Sequence, residues 1–172
     1  MIFLKKLLHG LLTPELYSAN KYWSIRKKYE KTHGFVKKYY KNKWAKLMRD
    51  YGACIPLDAQ LSQTCVFPHG ICGIFVSEGA MIGENCVIFQ QVTIGSNTIK
   101  GSRGYGAPKI DNNCYIGAGA KIIGNVTIGD NCRIGANCVV VDSVENNTTV
   151  VMPKPRLIHK SNNDNEWHSF SK

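Results

Sequence analysis

The sequence predicts a parallel β-helix preceded by a short helical segment, and three observations lead to this prediction. Aliphatic residues recur every six positions in two runs, small or β-branched residues stand two positions before them, and glycine often follows them. A six-residue unit corresponds to one short strand plus a corner, and three such units close one triangular coil. The aliphatic positions are Val76, Ile82, Ile88 and Ile94, then Ile110, Ile116, Ile122, Ile128, Ile134 and Val140.

The small positions account for most of the seven cysteines. We expect burial of the four that stand two positions before an aliphatic residue, because a thiol there acts as a compact hydrophobe. The number is odd and no CxxC pair occurs, which argues against a disulfide framework or a zinc ribbon. The glycines that follow the aliphatic residues are expected to support corner backbone that other residues adopt only with strain. The four cysteines are Cys86, Cys114, Cys132 and Cys138.

The repeats also divide the chain. We expect a β-helix domain over residues 53–158 and a flexible, polar tail over 159–172. The step from Ile94 to Ile110 is sixteen residues, which is not a multiple of six. The segment 96–109 must therefore leave the coil and return, and such excursions from a solenoid are where function is usually carried.

The basic, aromatic-rich residues 1–52 are expected to form a helical segment, with Thr13 and Pro14 marking a helix start. The chain has 22 Lys and Arg against 12 Asp and Glu, and this excess lies in the first fifty residues. Two explanations stay open. The aromatic residues pack on the β-helix, which we favour, or residues 1–50 make a peripheral contact with an anionic membrane.

Two classes of protein are excluded by what the chain lacks. No stretch reaches the roughly 20 apolar residues that span a bilayer, so we expect a cytoplasmic protein, with the inner face of the membrane as the alternative place. Nucleic-acid binding would need a motif that reads a groove, and none is visible.

His69 is the candidate catalytic residue among five histidines. A β-helix of this kind has no interior pocket, so an active site must lie on its outer faces. His69 stands at the edge of the repeat, between Pro68 and Gly70, where glycine allows close approach of a ligand. A neutral imidazole is well matched to taking a hydroxyl proton near pH 7, so we expect a general base.

Four segments carry a resemblance to a known family: Pro68-His69-Gly70-Ile71-Cys72-Gly73-Ile74-Phe75-Val76, Gln91-Val92-Thr93-Ile94-Gly95, Pro108-Lys109-Ile110 and Ile116-Gly117-Ala118-Gly119-Ala120-Lys121-Ile122. From about Ile55 to Arg156 the sequence resembles the serine acetyltransferase branch of the hexapeptide-repeat acyltransferases. The resemblance implies a left-handed β-helix and a homotrimer. It also implies transfer of an acetyl group from acetyl-CoA to a hydroxyl, without a metal and without an acyl-enzyme.

The resemblance assigns roles to individual residues. His69 would remove the proton of the acceptor hydroxyl as the oxygen attacks the thioester. Ser96, Ala118 and Ala136 would contact the pantetheine arm of acetyl-CoA. Arg133 stands where the family has a basic residue near the nucleotide, and a cation there suits the 3′-phosphate.

Two departures from the family lead to an expectation about the acceptor. In serine acetyltransferases an acidic residue stands fifteen positions before the histidine and orients it; here Cys54 stands there, and Asp58 is the nearest carboxylate. A second family histidine is replaced by Ala107. Asp58 is therefore the candidate for the group that orients His69, although the sequence leaves that group open. We expect the acceptor to be a sugar or a cell-surface glycan of the capsule or lipopolysaccharide type.

Polysaccharide O-acetylation has three alternatives, of which one is excluded by the sequence. Serine O-acetylation for cysteine biosynthesis is the nearest alternative enzyme. A γ-type carbonic anhydrase needs three histidines around zinc, and residues 74–156 contain no histidine, which excludes it. A scaffolding β-helix without activity also stays open.

Overall fold

The computed structural model describes residues 14–162 and shows two helices that lead into a three-sided parallel β-helix. The predicted helix start at Thr13, residues 1–13 in general and the end of the predicted tail lie outside the described residues. The helices are α1 (Pro14–Glu30) and α2 (Gly34–Asp50). The strands are β1 (Gln60–Leu61), β2 (Phe75–Val76), β3 (Met81–Ile82), β4 (Val87–Ile88), β5 (Thr93–Gly95), β6 (Lys109–Ile110), β7 (Tyr115–Ile116), β8 (Lys121–Ile123), β9 (Thr127–Ile128), β10 (Arg133–Ile134), β11 (Val139–Val140) and β12 (Thr149–Val150).

Three parallel sheets form the faces of the β-helix, and successive coils add one strand to each. The first face contains β1, β3, β6 and β9, the second β4, β7, β10 and β12, and the third β2, β5, β8 and β11. The register pairs aliphatic residues of neighbouring coils, for example Ile88 with Ile116 and Ile94 with Ile122. The period of six is therefore confirmed as one strand and one corner.

The interior of the coils is a stack of aliphatic side chains with thiols beside it. Ile88, Ile116 and Ile134 are completely buried, and burial of one such side chain contributes about 1.5–3 kcal/mol. The four cysteines at the small positions are buried as predicted. Cys65 is buried as well, whereas Cys54 and Cys72 are only half-buried.

The corners differ from the prediction in which residue adopts the left-handed backbone. Asn85, Asn113 and Asn131 have φ of 56°, 57° and 58°, in the region that asparagine tolerates better than most residues. Gly117 lies outside that region; it is needed because a Cβ there would lie 2.7 Å from the backbone nitrogen of Ala136. The predicted reason for the glycines, a strained corner backbone, is therefore wrong at this position. Glycine is required here because the neighbouring coil lies too close for a side chain.

Helices α1 and α2 pack on the first coil of the β-helix. The hydroxyl of the buried Tyr22 donates to the Pro56 carbonyl at 3.1 Å, and the Trp44 indole donates to the Ile55 carbonyl at 2.8 Å. The Arg26 guanidinium donates to two further carbonyls of the same segment. Burial raises the pKa of Tyr22 to about 12, so its hydroxyl stays a donor. These contacts support the packing explanation for Tyr22 and Trp44, whereas Phe35 remains 91% exposed.

No helix within residues 14–162 is long and apolar enough to cross a membrane.

The loop 96–109 between β5 and β6 is folded back on itself. Asn97 and Gly106 exchange both backbone hydrogen bonds, at 2.8 and 2.9 Å. The loop also contacts the next coil, because the Asn125 amide donates to the Gly104 carbonyl at 2.8 Å.

Candidate active site

His69 lies in a tight turn that precedes β2, and helix α1 holds this turn. The Gly70 amide donates to the Phe67 carbonyl at 3.0 Å, and Gly70 has φ of 68°, which favours glycine. The buried Ile71 amide donates to the hydroxyl of Ser18 in α1 at 3.0 Å. The backbone that carries the imidazole is thus fixed from both the β-helix and the helical segment.

The imidazole of His69 is exposed and contacts two residues of the next coil. Phe89 and Gln90 follow β4 directly. The Nδ1 atom of His69 lies 2.8 Å from Oε1 of Gln90. The ring of Phe89 meets the imidazole edge-on, with centroids 5.2 Å apart, and in turn packs on Tyr115 at 5.0 Å. A hydrogen bond and an aromatic wall therefore orient the ring.

A groove of ≈ 490 Å³ begins beside His69 and runs along the second face of the β-helix. Arg133 lines it from β10, in register with Tyr115. Ala118 and Ala136 line it at the corner towards the third face. Three coil steps separate the His69 coil from the β10 coil, which is about 14 Å at the usual strand spacing. The groove therefore has the imidazole in one part and the guanidinium in another.

Four of the six predicted site residues line this groove: His69, Ala118, Arg133 and Ala136. Ser96 lies elsewhere in the single chain. It follows β5 on the third face, and its hydroxyl lies near Gly79, 4.0 Å from where a Cβ on that glycine would stand.

Asp58 does not line the groove of its own chain either. It lines a separate cavity of ≈ 340 Å³, together with Trp44 of α2 and Cys54. Within one chain the structure does not support Asp58 as the group that orients His69, because the group in contact with Nδ1 is the Gln90 amide.

Sequence reasoning missed Gln90 and Phe89. Their outward positions beside the repeat were visible, but the periodicity does not say which coil the turn of His69 meets.

Within the described part of the chain, no group of three or more His, Cys, Asp or Glu side chains could hold a metal ion. The polar chemistry of the groove comes mainly from one imidazole, one guanidinium and an amide, set among apolar walls. Such an arrangement can accept a proton at one end and bind an anionic group at the other.

Comparison with known proteins points to one group of enzymes. The bacterial transferase hexapeptide (six repeats) family matches residues 107–142. A serine acetyltransferase from Staphylococcus xylosus is 36% identical over 141 residues, which are 82% of this chain and 57% of that protein. One from Synechococcus elongatus is 40% identical over 103 residues, or 60% of this chain and 41% of that protein. The chain thus spans about half the length of these relatives.

Solved structures agree with the sequence comparison. Serine acetyltransferase isoform 3 of Entamoeba histolytica, in complex with cysteine, superposes with a TM-score of 0.67 at 28% identity. The superposition covers 86% of this chain and 51% of the Entamoeba chain. Soybean serine acetyltransferase complexed with serine gives a TM-score of 0.66 at 28% identity, over 87% of this chain and 60% of its own.

These findings correct the expected acceptor. The relatives and structural neighbours are serine acetyltransferases, so the prediction of a sugar or cell-surface glycan acceptor is wrong. That prediction weighed the replacements at Cys54 and Ala107 too heavily. Within one chain the side chain that contacts Nδ1 of His69 is Gln90, so the replacement at Cys54 does not by itself indicate a different acceptor. The chain is a left-handed parallel β-helix with the hexapeptide repeat of bacterial transferases, and it is similar in sequence and fold to serine acetyltransferases.

Proposed function

We propose that this protein transfers the acetyl group of acetyl-CoA to the hydroxyl of serine, forming O-acetylserine and free CoA. The observation that carries the proposal is the groove with His69 in one part and Arg133 in another. The similarity to serine acetyltransferases supports the choice of donor and acceptor.

The groove suits an extended cofactor with a charged end. Tyr115, Ala118 and Ala136 offer a largely apolar wall, with small side chains where an arm can lie close to the backbone. The guanidinium of Arg133 is exposed and available for a phosphate, to which arginine can make charge-assisted hydrogen bonds. The thioester would then lie towards His69.

The proposed reaction needs one base. The imidazole nitrogen of His69 that faces away from Gln90 takes the proton of the serine hydroxyl as its oxygen attacks the thioester carbonyl. The carbon–sulfur bond breaks, and the CoA sulfur leaves and receives the proton. Direct attack needs no acyl-enzyme, and a positioned base contributes about 10²- to 10⁴-fold to such a step.

We also propose that the active enzyme is a homotrimer. Tyr115 and Val139 are large apolar residues that remain 44% and 62% exposed on the outer surface of the β-helix. Ser96 lies away from the groove of its own chain, so a contact with bound acetyl-CoA would have to be made across a boundary between neighbouring copies. A mass by light scattering that equals three chains is the expected result, and an active monomer would contradict it.

The test of the activity is direct. Purified protein is incubated with acetyl-CoA and L-serine, and O-acetylserine is measured by mass spectrometry. L-Alanine, which lacks the hydroxyl, serves as the matched acceptor control, and the His69→Ala variant is the enzyme control. Formation of O-acetylserine by the wild type alone supports the proposal. If no O-acetylserine forms above the rate of the variant, serine is not the acceptor.

A further inference from the structure

We propose that Gln90 is a positioning residue that holds His69 in the tautomer with the proton on Nδ1, leaving Nε2 as the base. The inference deepens the proposed function and rests on it only for the reaction that Nε2 serves. Its basis is the 2.8 Å contact between Nδ1 of His69 and Oε1 of Gln90.

The chemistry of the two groups sets the direction of this hydrogen bond. The side-chain carbonyl oxygen of glutamine can only accept, so the nitrogen facing it must carry the hydrogen. In a neutral imidazole the second nitrogen is then unprotonated and can take a proton. Without an acceptor at Nδ1, both tautomers of His69 would be populated, and only a fraction would present a basic Nε2.

The backbone around Gln90 is held from the coils on both sides. The Gln91 amide donates to the Cys72 carbonyl at 2.9 Å, which ties the corner to the turn that carries His69. The Gly119 amide donates to the Gln90 carbonyl at 3.0 Å, and the Lys121 ammonium donates to the Gln91 carbonyl at 2.7 Å. A fixed backbone and a half-buried side chain make the Gln90 amide a rigid acceptor.

Gln90 differs from a carboxylate in one physical property. A carboxylate next to an imidazole stabilises the charged imidazolium and raises its pKa, whereas a neutral amide supplies the hydrogen bond without the charge. Gln90→Glu would therefore keep the hydrogen bond and add a negative charge beside the imidazole. The acid limb of the pH profile should report this difference.

The tautomer can be observed without any substrate. In the ¹⁵N-labelled full-length protein at pH 8, long-range ¹H–¹⁵N correlation distinguishes Nδ1–H from Nε2–H imidazoles, and the His69→Asn spectrum assigns the signals. We expect His69 in the Nδ1–H form, and a shift towards a mixture in Gln90→Leu. Gln60→Leu, the same change on the exposed first face, should leave the spectrum unaltered. A wild-type His69 in the Nε2–H form overturns the proposal.

Kinetics separate positioning from a merely structural role. Gln90→Leu should lower kcat by about 10- to 100-fold, the size of effect known for losing the hydrogen-bond partner of a metal-bound histidine, with the KM for acetyl-CoA nearly unchanged. Gln90→Glu keeps the shape and should restore turnover at high pH, while it moves the acid limb up by about one pH unit or more. Gln60→Glu should not move it.

The outcomes distinguish this inference from the proposed function. If His69 is in the Nδ1–H form but the protein does not acetylate serine, the positioning role of Gln90 stands and serine is not the acceptor. An active enzyme whose acid limb is the same in wild type and Gln90→Glu, or whose kcat is unaffected in Gln90→Leu, contradicts the role of Gln90 and leaves the activity standing.

Discussion

The hydroxyl of Ser18 accepts a hydrogen bond from the amide of Ile71 at 3.0 Å, and both groups are buried. Ser18 belongs to α1, and Ile71 follows the turn that carries His69. The helical segment therefore does more than cover the first coil, because its Ser18 side chain helps to hold the turn that carries the candidate base.

Ser18→Ala should destabilise the fold and disturb the turn. The Ile71 amide would be left buried without this acceptor, which costs about 1–3 kcal/mol in the free energy of unfolding. Urea denaturation measures the change, and Ser24→Ala, an exposed serine in the same helix, is the control. Equal stabilities of the two variants would show that the helix does not hold the turn through Ser18.

Asn131 should tolerate glycine better than alanine. At its φ of 58°, an alanine would cost about 1–2 kcal/mol relative to a glycine. The side-chain amide of Asn131 also donates a hydrogen bond to the side-chain oxygen of Asn147 at 3.2 Å. Both variants lose the side-chain bond, so the difference between them isolates the backbone strain. Thermal denaturation of Asn131→Ala and Asn131→Gly measures this difference.

Asn42, an exposed residue of α2, provides the control for the corner prediction. Its helical backbone should reverse the order, because glycine in a helix interior costs about 1 kcal/mol relative to alanine. Asn42→Gly should therefore melt below Asn42→Ala, whereas Asn131→Gly should melt above Asn131→Ala. Identical melting temperatures for the two Asn131 variants would contradict the account of the corners.

The cysteines should differ sharply in reactivity. A hydrogen bond with Cys86 and burial raise the pKa of the Cys114 thiol well above its ordinary value, so little thiolate forms at pH 8. Native protein treated with iodoacetamide should be alkylated at the half-buried Cys54 and Cys72, and at Cys114 only after denaturation. Peptide mass mapping gives the order, and early alkylation of Cys114 would disagree with the packed interior.

The sequence alone was informative about the interior and much less so about the site. The six-residue spacing predicted which side chains are buried, such as Ile88 and Cys114, because inward residues repeat with the coil. It misjudged the corners, although an asparagine directly before Cys86, Cys114 and Cys132 was a visible signal. An asparagine and a glycine both suit corners, and only the backbone angles tell which one adopts the left-handed conformation.

The partner of His69 was beyond sequence reasoning for a different reason. Asp58 was expected because it is the carboxylate nearest along the chain to the family position, whereas the structure places Gln90, twenty-one residues after His69, against the ring. Contacts between coils depend on the length and shape of the turn at residues 68–73. That turn interrupts the regular repeat, so the period could not predict which outward residue it reaches.

Arg133→Glu should weaken binding of acetyl-CoA. The substitution replaces a cation that can bind the 3′-phosphate with a carboxylate that repels it, so we expect the dissociation constant to rise about tenfold or more. Isothermal titration with acetyl-CoA and with its 3′-dephospho analogue measures the effect. Arg49→Glu on the exposed side of α2 is the matched control for net charge. An unchanged affinity for both ligands would remove Arg133 from the cofactor site.

The most direct test of the account is the turnover of His69→Ala with acetyl-CoA and serine. We predict that kcat falls by about 10²- to 10⁴-fold, because proton removal belongs to the transition state, while the oligomeric mass and the affinity for acetyl-CoA stay close to those of the wild type. A variant that still forms O-acetylserine at a near wild-type rate would contradict the role of His69, and the base would then have to lie in the loop 96–109.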